Sequence, residues 1–369
     1  MMQMFSWSKW SAAGLVMVLV VACSGPQPLV TSNFVKPATN PILKADSTLV
    51  FTCPIKKEPV RWQKADVFNP AAVVKDGKIC LLYRCEDNPA AALGGRTSRI
   101  GLAESTDGIH FTRHPVPVLH PDNDAFRQYD YPGGCEDPRV AVTEDGLYVM
   151  AYTSWNQQVA RLSIAFSKDL VHWEKKGPAF AKAHGGKFLD QWSKSGSILT
   201  TIKRGKQVIA KVNGKYWMYW GEHKVNLAWS DNLYDWYPTL DEKGALKGVI
   251  EPRTGKFDSH LTECGPPALL TKKGVRLFYN GKNQNDATAD PALPRGTYSV
   301  GEVLLDKKDL ETVLFRSEQP FLVPTLAHEK TGQYQAGTTF AEGLVFYKKS
   351  WYLYYGTADS FVGVAVSGF

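Results

Sequence analysis

The stretch Tyr129-Asp130-Tyr131-Pro132-Gly133-Gly134-Cys135-Glu136-Asp137-Pro138-Arg139 runs directly into the apolar segment Val140-Ala141-Val142. Two adjacent carboxylates therefore stand between a Gly-Gly turn and the start of a β-branched strand, and Pro138 restricts the backbone after them. An Asp-Pro pair alone is most often a loop-to-strand turn, with the arginine as a structural ion-pair partner. This segment carries more information because similar strand starts recur along the chain.

One pattern of short strands and tight turns repeats through the sequence. After Val142 the turn Glu144-Asp145-Gly146 leads into a second strand over 147–152. The third strands of the first three units end 62 and 63 residues apart, at Ser105, Ser167 and Ser230. Two further units follow, over 265–302 and 342–366, and no long helical periodicity interrupts them.

Five such units predict an all-β fold, a five-bladed β-propeller with a central active-site channel. A pair of β-sandwiches is the alternative, but the repeat period is longer than the strand spacing of a sandwich. We expect residues near 49–51 to supply the fourth strand of the last blade. No charge run or linker divides residues 46–369, which are therefore expected to form a single catalytic domain.

The first residues have the features of an export signal. Lys9 precedes an apolar run over 12–22, which is too short to span a bilayer. The ending Val20-Val21-Ala22-Cys23 resembles a bacterial lipobox, so we expect a signal peptide over 1–23, lipidation of Cys23 and a flexible tether over 24–45. A plain secretory signal is the alternative. The expected protein is an exported, membrane-anchored lipoprotein, and the lack of an acidic cluster after Cys23 favours the periplasm over the cell surface.

Composition excludes some partners. The net charge of +7 comes from lysines distributed among turns, with no basic stripe or base-reading motif, so nucleic acid is not expected as a partner. The cysteines after Cys23 have no metal-ligand spacing and are interpreted as mostly buried small apolar residues: Cys53, Cys80, Cys85, Cys135 and Cys264. The sequence gives no indication of oligomeric state.

In a propeller the inner strands line the channel, so the strand starts of all units converge on one pocket. Strand starts supply Asn69, Glu136, Asp137, a position near Lys194, Glu263 and Glu342. Strand ends and loops add Arg84, Asp87, Ser154, Glu222, His223, Asn280 and Asp359. A channel rich in carboxylates, arginines and amides, without His/Cys clusters or a phosphate loop, suits a polyhydroxylated sugar. No metal and no cofactor are expected.

At this point the residues resemble a known family. Gly134-Cys135-Glu136-Asp137-Pro138-Arg139-Val140, together with Asn69-Pro70, Tyr83-Arg84 and Tyr355-Gly356-Thr357-Ala358-Asp359, is similar to the pattern of glycoside hydrolase family 130. The resemblance covers nearly all of the chain after the tether. It implies a five-bladed propeller acting on β-mannosides, in a family whose members are mostly phosphorylases.

One branch of that family hydrolyses β-1,2-mannosides and is marked by two glutamates. The sequence around those two glutamates is similar to two segments of this chain, Trp220-Gly221-Glu222-His223 and Leu261-Thr262-Glu263-Cys264-Gly265. The resemblance implies that Asp137 is the general acid, with its proton relayed through the 3-hydroxyl of the mannose. We expect a raised pKa for Asp137, caused by Glu136 and a closed channel. The substrate-binding residues are expected to be Asn69, Arg84, Arg99, Glu136, Arg139, Ser154, Lys194, His223, Asn280 and Asp359.

Hydrolysis and phosphorolysis place different demands on the pocket. A phosphorylase must hold an anion and needs converging cations, whereas glutamates below the sugar would repel phosphate and could polarise water. Glu222 and Glu263 therefore favour an exo-acting, inverting β-1,2-mannosidase that releases mannose from an oligosaccharide, with the pair as base and neither member preferred. A β-mannoside phosphorylase producing mannose 1-phosphate and a glycan-binding lipoprotein without turnover are the alternatives. Arg139 and Glu136 equally suit structural ion pairs between blades.

Overall fold

The fold is known from a computed structural model that describes residues 31, 34–92 and 94–367. The predicted signal peptide, the predicted lipidation site Cys23 and the first part of the predicted tether lie outside the described residues. Three short strands precede the blades: β1 (Phe34–Val35), β2 (Phe51–Thr52) and β3 (Pro59–Val60). Among the described residues, no helix has the length and apolar character needed to cross a membrane.

The remaining strands form the five blades predicted from the repeat. Blade 1 consists of β4 (Asp66–Lys75), β5 (Lys78–Glu86), β6 (Ser98–Ser105) and β7 (Thr112–Arg113). After a short helix, α1 (Arg127–Asp130), blade 2 consists of β8 (Gly134–Val142), β9 (Tyr148–Trp155), β10 (Ala160–Ser167) and β11 (Glu174–Pro178). A 3₁₀ turn over Ala183–Gly186 leads into the third blade.

Blade 3 consists of β12 (Ser197–Ile198), β15 (Lys211–Val212), β16 (Lys215–Trp220), β17 (Val225–Ser230), β18 (Trp236–Pro238) and β19 (Gly248–Ile250), and β13 (Thr200–Lys203) and β14 (Lys206–Ile209) lie between its first two strands in sequence. Blade 4 contains β20 (Leu261–Cys264), β21 (Leu269–Leu270), β22 (Val275–Lys282), β23 (Tyr298–Leu305) and β24 (Val313–Arg316). Blade 5 contains β25 (Phe340–Tyr347), β26 (Ser350–Thr357) and β27 (Phe361–Ser367), preceded by a 3₁₀ turn over Ala327–Lys330. The β13–β14 hairpin joins the sheet of blade 4, because β13 pairs with β21 in parallel.

The regular spacing of the third strands has a local chemical cause. At the end of β6 the Ser105 hydroxyl accepts the backbone N–H of Gly108 at 2.8 Å. The equivalent hydroxyls of Ser167 and Ser230 accept backbone N–H groups at 2.9 Å in their own turns. These bonds satisfy turn donors that the strand ladder leaves unpaired. The same turn chemistry therefore repeats once in each of the first three blades.

The inner strands bulge where they reach the channel. The pairing register shifts at Asn69 in β4, at Asp137-Pro138 in β8 and at Glu342 in β25. Asn69 and Asp137 have φ of 49° and 48°, a left-handed conformation that Asn and Asp adopt more readily than most residues. A bulge bends the strand and redirects a side chain. The Asn-Pro and Asp-Pro pairs thus turn polar groups into the channel.

The Gly-Gly pair before the Glu-Asp segment is required by the contact between blades 1 and 2. Gly134 has φ of 112° and pairs with Ser98 of β6. A Cβ at this position would overlap the backbone of Ser98. Glycine is therefore required for the close approach of the two blades.

The last blade closes differently from the prediction. Its fourth strand is β1, in which Phe34 pairs with Ser367 and Val35 with Val366. Residues near 49–51 do not play this role, because Phe51 pairs with Val60 in a separate hairpin. The predicted tether over 24–45 is also wrong for residues 34–45. This segment packs on β27, where the Asn40 amide donates to the carbonyl of Val364 at 2.8 Å.

A buried ion pair fixes this closing segment. The Lys36 ammonium lies 2.7 Å from the carboxylate of Glu329, which is fully buried. Glu329 also accepts the Tyr355 hydroxyl at 2.8 Å and the Leu326 backbone N–H at 2.8 Å. Because the carboxylate is out of water, its charge depends on these partners.

Replacing Lys36 by methionine is expected to lower the free energy of unfolding by about 3 kcal/mol, because it leaves the buried Glu329 charge without its cation. Urea denaturation followed by tryptophan fluorescence measures the change. The control is Lys330→Met, which removes an exposed lysine of the same turn and should leave stability within about 0.5 kcal/mol of the wild type. Equal stability of Lys36→Met and the wild type would contradict the role assigned to this pair.

Apolar side chains fill the spaces between neighbouring blades. One buried cluster combines Val67 and Leu81 of blade 1 with Val345 and Val364 of blade 5. Another combines Leu162 of blade 2 with Met218 of blade 3. The five described cysteines are buried free thiols, which confirms their interpretation as small apolar residues. These packed blades position the inner strands around the channel.

Candidate active site

A cavity of about 330 Å³ opens at the end of the channel where the inner strands bulge. Eight of the predicted site residues line it: Asn69, Arg84, Glu136, Asp137, Lys194, Glu222, Glu263 and Asp359. They come from all five blades or from the loops beside them. The convergence expected from the propeller geometry is therefore present.

Arg84 is the centre of the acidic wall of this cavity. Its guanidinium lies 3.2 Å from the Asp137 carboxylate, 2.9 Å from that of Glu136 and 2.7 Å from that of Glu86. The guanidinium stacks over the Phe68 ring at 4.8 Å, which adds a cation–π contact. Arg84 holds both carboxylates of the Glu-Asp segment at fixed positions.

Asp137 is the most strongly anchored of these acids. It accepts a hydrogen bond from the Asn69 amide at 2.8 Å and lies 3.5 Å from the Lys194 ammonium. Burial alone would raise its pKa, but Arg84, Lys194 and the Asn69 hydrogen bond together lower the pKa of Asp137 below its ordinary value. The expectation of a raised pKa for Asp137 is therefore wrong for the free protein.

The neighbouring acids behave in the opposite way. Burial raises the pKa of Glu136 to about 7, assisted by the Asp137 charge and opposed by Arg84. Burial likewise raises the pKa of Asp359 to about 6. Near neutral pH the acidic wall therefore holds a proton, but on groups next to Asp137. Because Glu136 and Asp137 share one guanidinium, they are best treated as a pair.

The facing wall carries the two glutamates. Burial raises the pKa of Glu263 to about 7, as does the Glu222 charge, and the Ser195 hydroxyl donates a hydrogen bond to this carboxylate. Burial also opposes ionisation of Glu222, but Lys194 and a 2.8 Å hydrogen bond from the Trp192 indole N–H lower its pKa overall. Glu222 therefore ionises at a lower pH than Glu263.

Lys194 lies between the two walls. Burial disfavours its charge, yet Glu222, Asp137 and Glu263 raise the pKa of the ammonium above its ordinary value. Among the described residues that line the cavity, five carboxyl groups face three cations, Arg84, Lys194 and Lys282. Arg84 and Lys194 are both engaged by carboxylates.

The structure places Arg139 behind the cavity and not in its lining. Its guanidinium donates to the carbonyls of Cys264 at 2.7 Å and Gly265 at 3.0 Å, and it lies 3.2 Å from the Glu342 carboxylate. Arg139 therefore ties blade 2 to blades 4 and 5. Arg139 was predicted to bind substrate, but the structure does not place it in the cavity lining, and its contacts match the alternative of a structural pair between blades.

Four other predicted substrate ligands also lie outside the lining. Arg99 is buried against Asp87 at 2.8 Å, and the Ser154 hydroxyl faces the carbonyl of Arg161 at 3.3 Å. The Asn280 amide donates to the carbonyl of Ala341 at 3.1 Å, which links blades 4 and 5. His223 is exposed beside a neighbouring cavity. Their side chains are used in packing between strands or point away from the channel.

Sequence reasoning missed one side of the cavity. Lys282, Tyr298, Tyr334, Thr338 and Phe340 line it. The Lys282 ammonium lies 5.2 Å from the centre of the Tyr298 ring and 5.4 Å from that of Tyr334. These residues stand in or beside loops, and their only sequence signal is an aromatic residue at the start of β23 and of β25.

A family model described as beta-1,4-mannooligosaccharide phosphorylase, of glycoside hydrolase family 130, matches residues 35–368. The chain belongs to glycoside hydrolase family 130. The match covers all five blades, so the resemblance inferred from the Glu-Asp-Pro-Arg segment is confirmed. The site described above is therefore that of a family 130 enzyme acting on mannosides.

Among its family 130 relatives is a 1,2-beta-oligomannan phosphorylase from Thermoanaerobacter sp. (strain X514), 35% identical over 83% of this chain and 90% of that protein. A crystal structure from Bacteroides thetaiotaomicron VPI-5482 is 56% identical, with a TM-score of 0.91 over 92% of this chain and 97% of the other. Another solved structure is 49% identical, with a TM-score of 0.89 over 94% of each chain. That structure is described with the GH130 family of mannoside phosphorylases, which contains glycoside hydrolases. Those hydrolases target beta-1,2 mannosidic linkages in Candida mannan.

Proposed function

We propose that this protein is an exo-acting, inverting glycoside hydrolase that releases mannose from β-1,2-linked mannosides. The observation that carries the proposal is the pair Glu222 and Glu263 on the wall that faces Asp137 across one cavity. Inverting hydrolysis needs an acid on one side of the sugar and a base on the other, far enough apart to admit water. The shared cavity of Asp137 and the Glu222–Glu263 pair supports these two roles.

The charge of the cavity supports water as the nucleophile. Phosphate would need cations free to receive it, but Arg84 and Lys194 are already neutralised by the surrounding carboxylates, and burial lowers the pKa of the third cation, Lys282. Adding an anion beside Glu222 and Glu263 would bring like charges together in a buried site. Water carries no such cost. The 49% identity to the chain described with β-1,2-directed hydrolases points in the same direction.

Each acid has a distinct role in the proposed reaction. Glu222, ionised at neutral pH, takes a proton from water as the water oxygen attacks the anomeric carbon. Glu263, held by Ser195, orients that water. As the glycosidic C–O bond breaks, the leaving oxygen receives a proton from the Glu136–Asp137 pair, relayed from Asp137 through the sugar 3-hydroxyl. Asn69 and Arg84 keep Asp137 in place, and Asp359 binds hydroxyls of the terminal mannose.

Product analysis with and without phosphate tests the proposal. With β-1,2-mannobiose as substrate, we expect mannose at the same rate in phosphate-free buffer and in buffer with phosphate, because water is the attacking group. Anion-exchange chromatography resolves mannose from mannose 1-phosphate. Mannose 1-phosphate formed only when phosphate is present would identify a phosphorylase and end the proposal. Sugar binding without any product would favour a glycan-binding protein.

A panel of mannobioses of different linkage defines the specificity in the same assay. We expect the β-1,2 isomer to be cleaved faster than the β-1,4 isomer.

The N-terminal sequence supports a further proposal, that the enzyme is exported and anchored through a lipid on Cys23, with the periplasm as its compartment. Metabolic labelling with a fatty acid, compared between wild type and Cys23→Ser, tests that part separately.

A further inference from the structure

Trp192 makes an unusual contact for an exposed residue. Its side chain lies at the rim of the cavity, and the residue is 45% exposed. Its indole N–H nevertheless donates a 2.8 Å hydrogen bond to the Glu222 carboxylate. Within the described part of the chain, no other residue donates a hydrogen bond to that carboxylate. The orientation of Glu222 therefore depends on a rim tryptophan.

A second tryptophan holds the Trp192 ring in place. The Trp155 ring meets it edge to face, with ring centres 5.7 Å apart. The Trp155 indole N–H donates to the carbonyl of Gly94 at 2.9 Å, in the loop between β5 and β6. Edge-to-face aromatic pairs prefer this geometry and limit ring rotation. An exposed ring is thereby fixed relative to blades 1 and 2.

Trp192 and Glu222 also form a partition. Both line the active-site cavity and a second cavity of about 330 Å³ on their other side, bordered by His223, Lys224 and Glu251. A carboxylate that borders two cavities has few packing constraints. Without the indole it could rotate toward the second cavity, away from the sugar. Positional errors of about 1 Å in a catalytic group can cost roughly a hundredfold in rate.

We propose that Trp192 is a positioning residue, which holds the Glu222 carboxylate toward the sugar so that it can activate water. This inference rests on the function proposed above and adds a residue to it. Trp192 acts through Glu222, whose carboxylate accepts its indole N–H. Its indole N–H, and not its aromatic surface alone, is the group that matters.

Trp192→Phe tests this, because phenylalanine keeps a ring at the rim and removes the N–H. We expect kcat on β-1,2-mannobiose to fall roughly 10- to 100-fold with KM changed by less than about threefold. The hydrogen bond favours the ionised carboxylate, so its loss should raise the pKa of Glu222. The acidic limb of the pH–rate profile should therefore move to higher pH.

The matched control is Trp173→Phe, which removes an indole N–H that donates to the carbonyl of Leu170, in a turn outside the lining of the active-site cavity. It should leave kcat within about threefold of the wild type and the acidic limb in place. An equal shift in both variants, or a rise in KM for Trp192→Phe with an unchanged pH profile, would overturn the inference. Mannose 1-phosphate as the product of the wild type would instead overturn the proposed function, so the two failures are distinguishable.

Discussion

Replacing Asp137 by asparagine is expected to reduce kcat/KM on β-1,2-mannobiose by at least about a thousandfold, because a sugar leaving group depends on protonation. The fold should survive, since Asn69 already adopts the same left-handed conformation before a proline in blade 1. Asparagine also keeps an acceptor for the Asn69 amide. The measurement is the initial rate of mannose release.

A change of leaving group separates this loss from a general defect. On an aryl β-mannoside with an activated phenol, departure needs little protonation, so Asp137→Asn should lose less than about tenfold. The control Asp190→Asn alters an exposed carboxylate that, within the described residues, pairs with Arg161, and it should behave as the wild type. Retention of more than a tenth of the activity on mannobiose would remove Asp137 from its assigned role.

The pH dependence follows from the same pair. Burial raises the pKa of Glu136 to about 7, so the Glu136–Asp137 pair holds a proton below that pH and loses it above. Because the reaction consumes that proton, the wild-type rate on mannobiose should fall as the pH rises through about 7. The aryl substrate should show a weaker alkaline decline.

The second large effect is expected at the facing wall. Glu222→Gln should lower kcat/KM by at least about a thousandfold, because the amide cannot take a proton from water, and Glu263→Gln should lower it as well, because the amide does not orient that water as the carboxylate does. In contrast to Asp137→Asn, this loss should be equally large on the aryl mannoside, since water must be activated whatever the leaving group. Initial rates on both substrates measure the contrast.

Glu251→Gln is the matched control for these two variants. Glu251 borders the second cavity and is largely exposed, so the substitution should change rates less than about twofold. Recovery of activity by either glutamine variant on the aryl mannoside would show that the residue assists the leaving group and not the nucleophile. The proposed division of roles between the two walls would then be wrong.

The sequence by itself determined the repeated architecture. The strand pattern and the Ser105, Ser167 and Ser230 turns depend on neighbours a few residues away. Hydrogen bonds between residues this close in sequence can be predicted from the sequence alone. The Asp-Pro and Asn-Pro pairs likewise marked the bulges, since Asn and Asp tolerate the left-handed backbone there. Three of the acids that line the cavity, Glu136, Asp137 and Glu263, could be predicted because the inner strands start at the same end.

Only the tertiary structure decided which partners each polar side chain has in and around the cavity. Arg139 belongs to the segment that indicated the site, yet its partners are carbonyls of Cys264 and Gly265, about 125 residues away in sequence. Its role in linking blade 2 to blades 4 and 5 leaves no pattern in the neighbouring sequence. Trp192 reaches the cavity from a loop and Lys282 from the last position of β22, and packing with other blades sets the position of both.

The protonation of the acids also depends on the tertiary structure and not on the sequence pattern alone. Sequence reasoning expected a raised pKa for Asp137, since an adjacent glutamate and burial both act in that direction. The opposite shift arises because Arg84 of blade 1 and Lys194 of blade 3 lie beside it. Patterns along the chain record contacts between near neighbours. Coulomb interactions instead add over all charges within reach in space, so they are fixed only when the blades assemble.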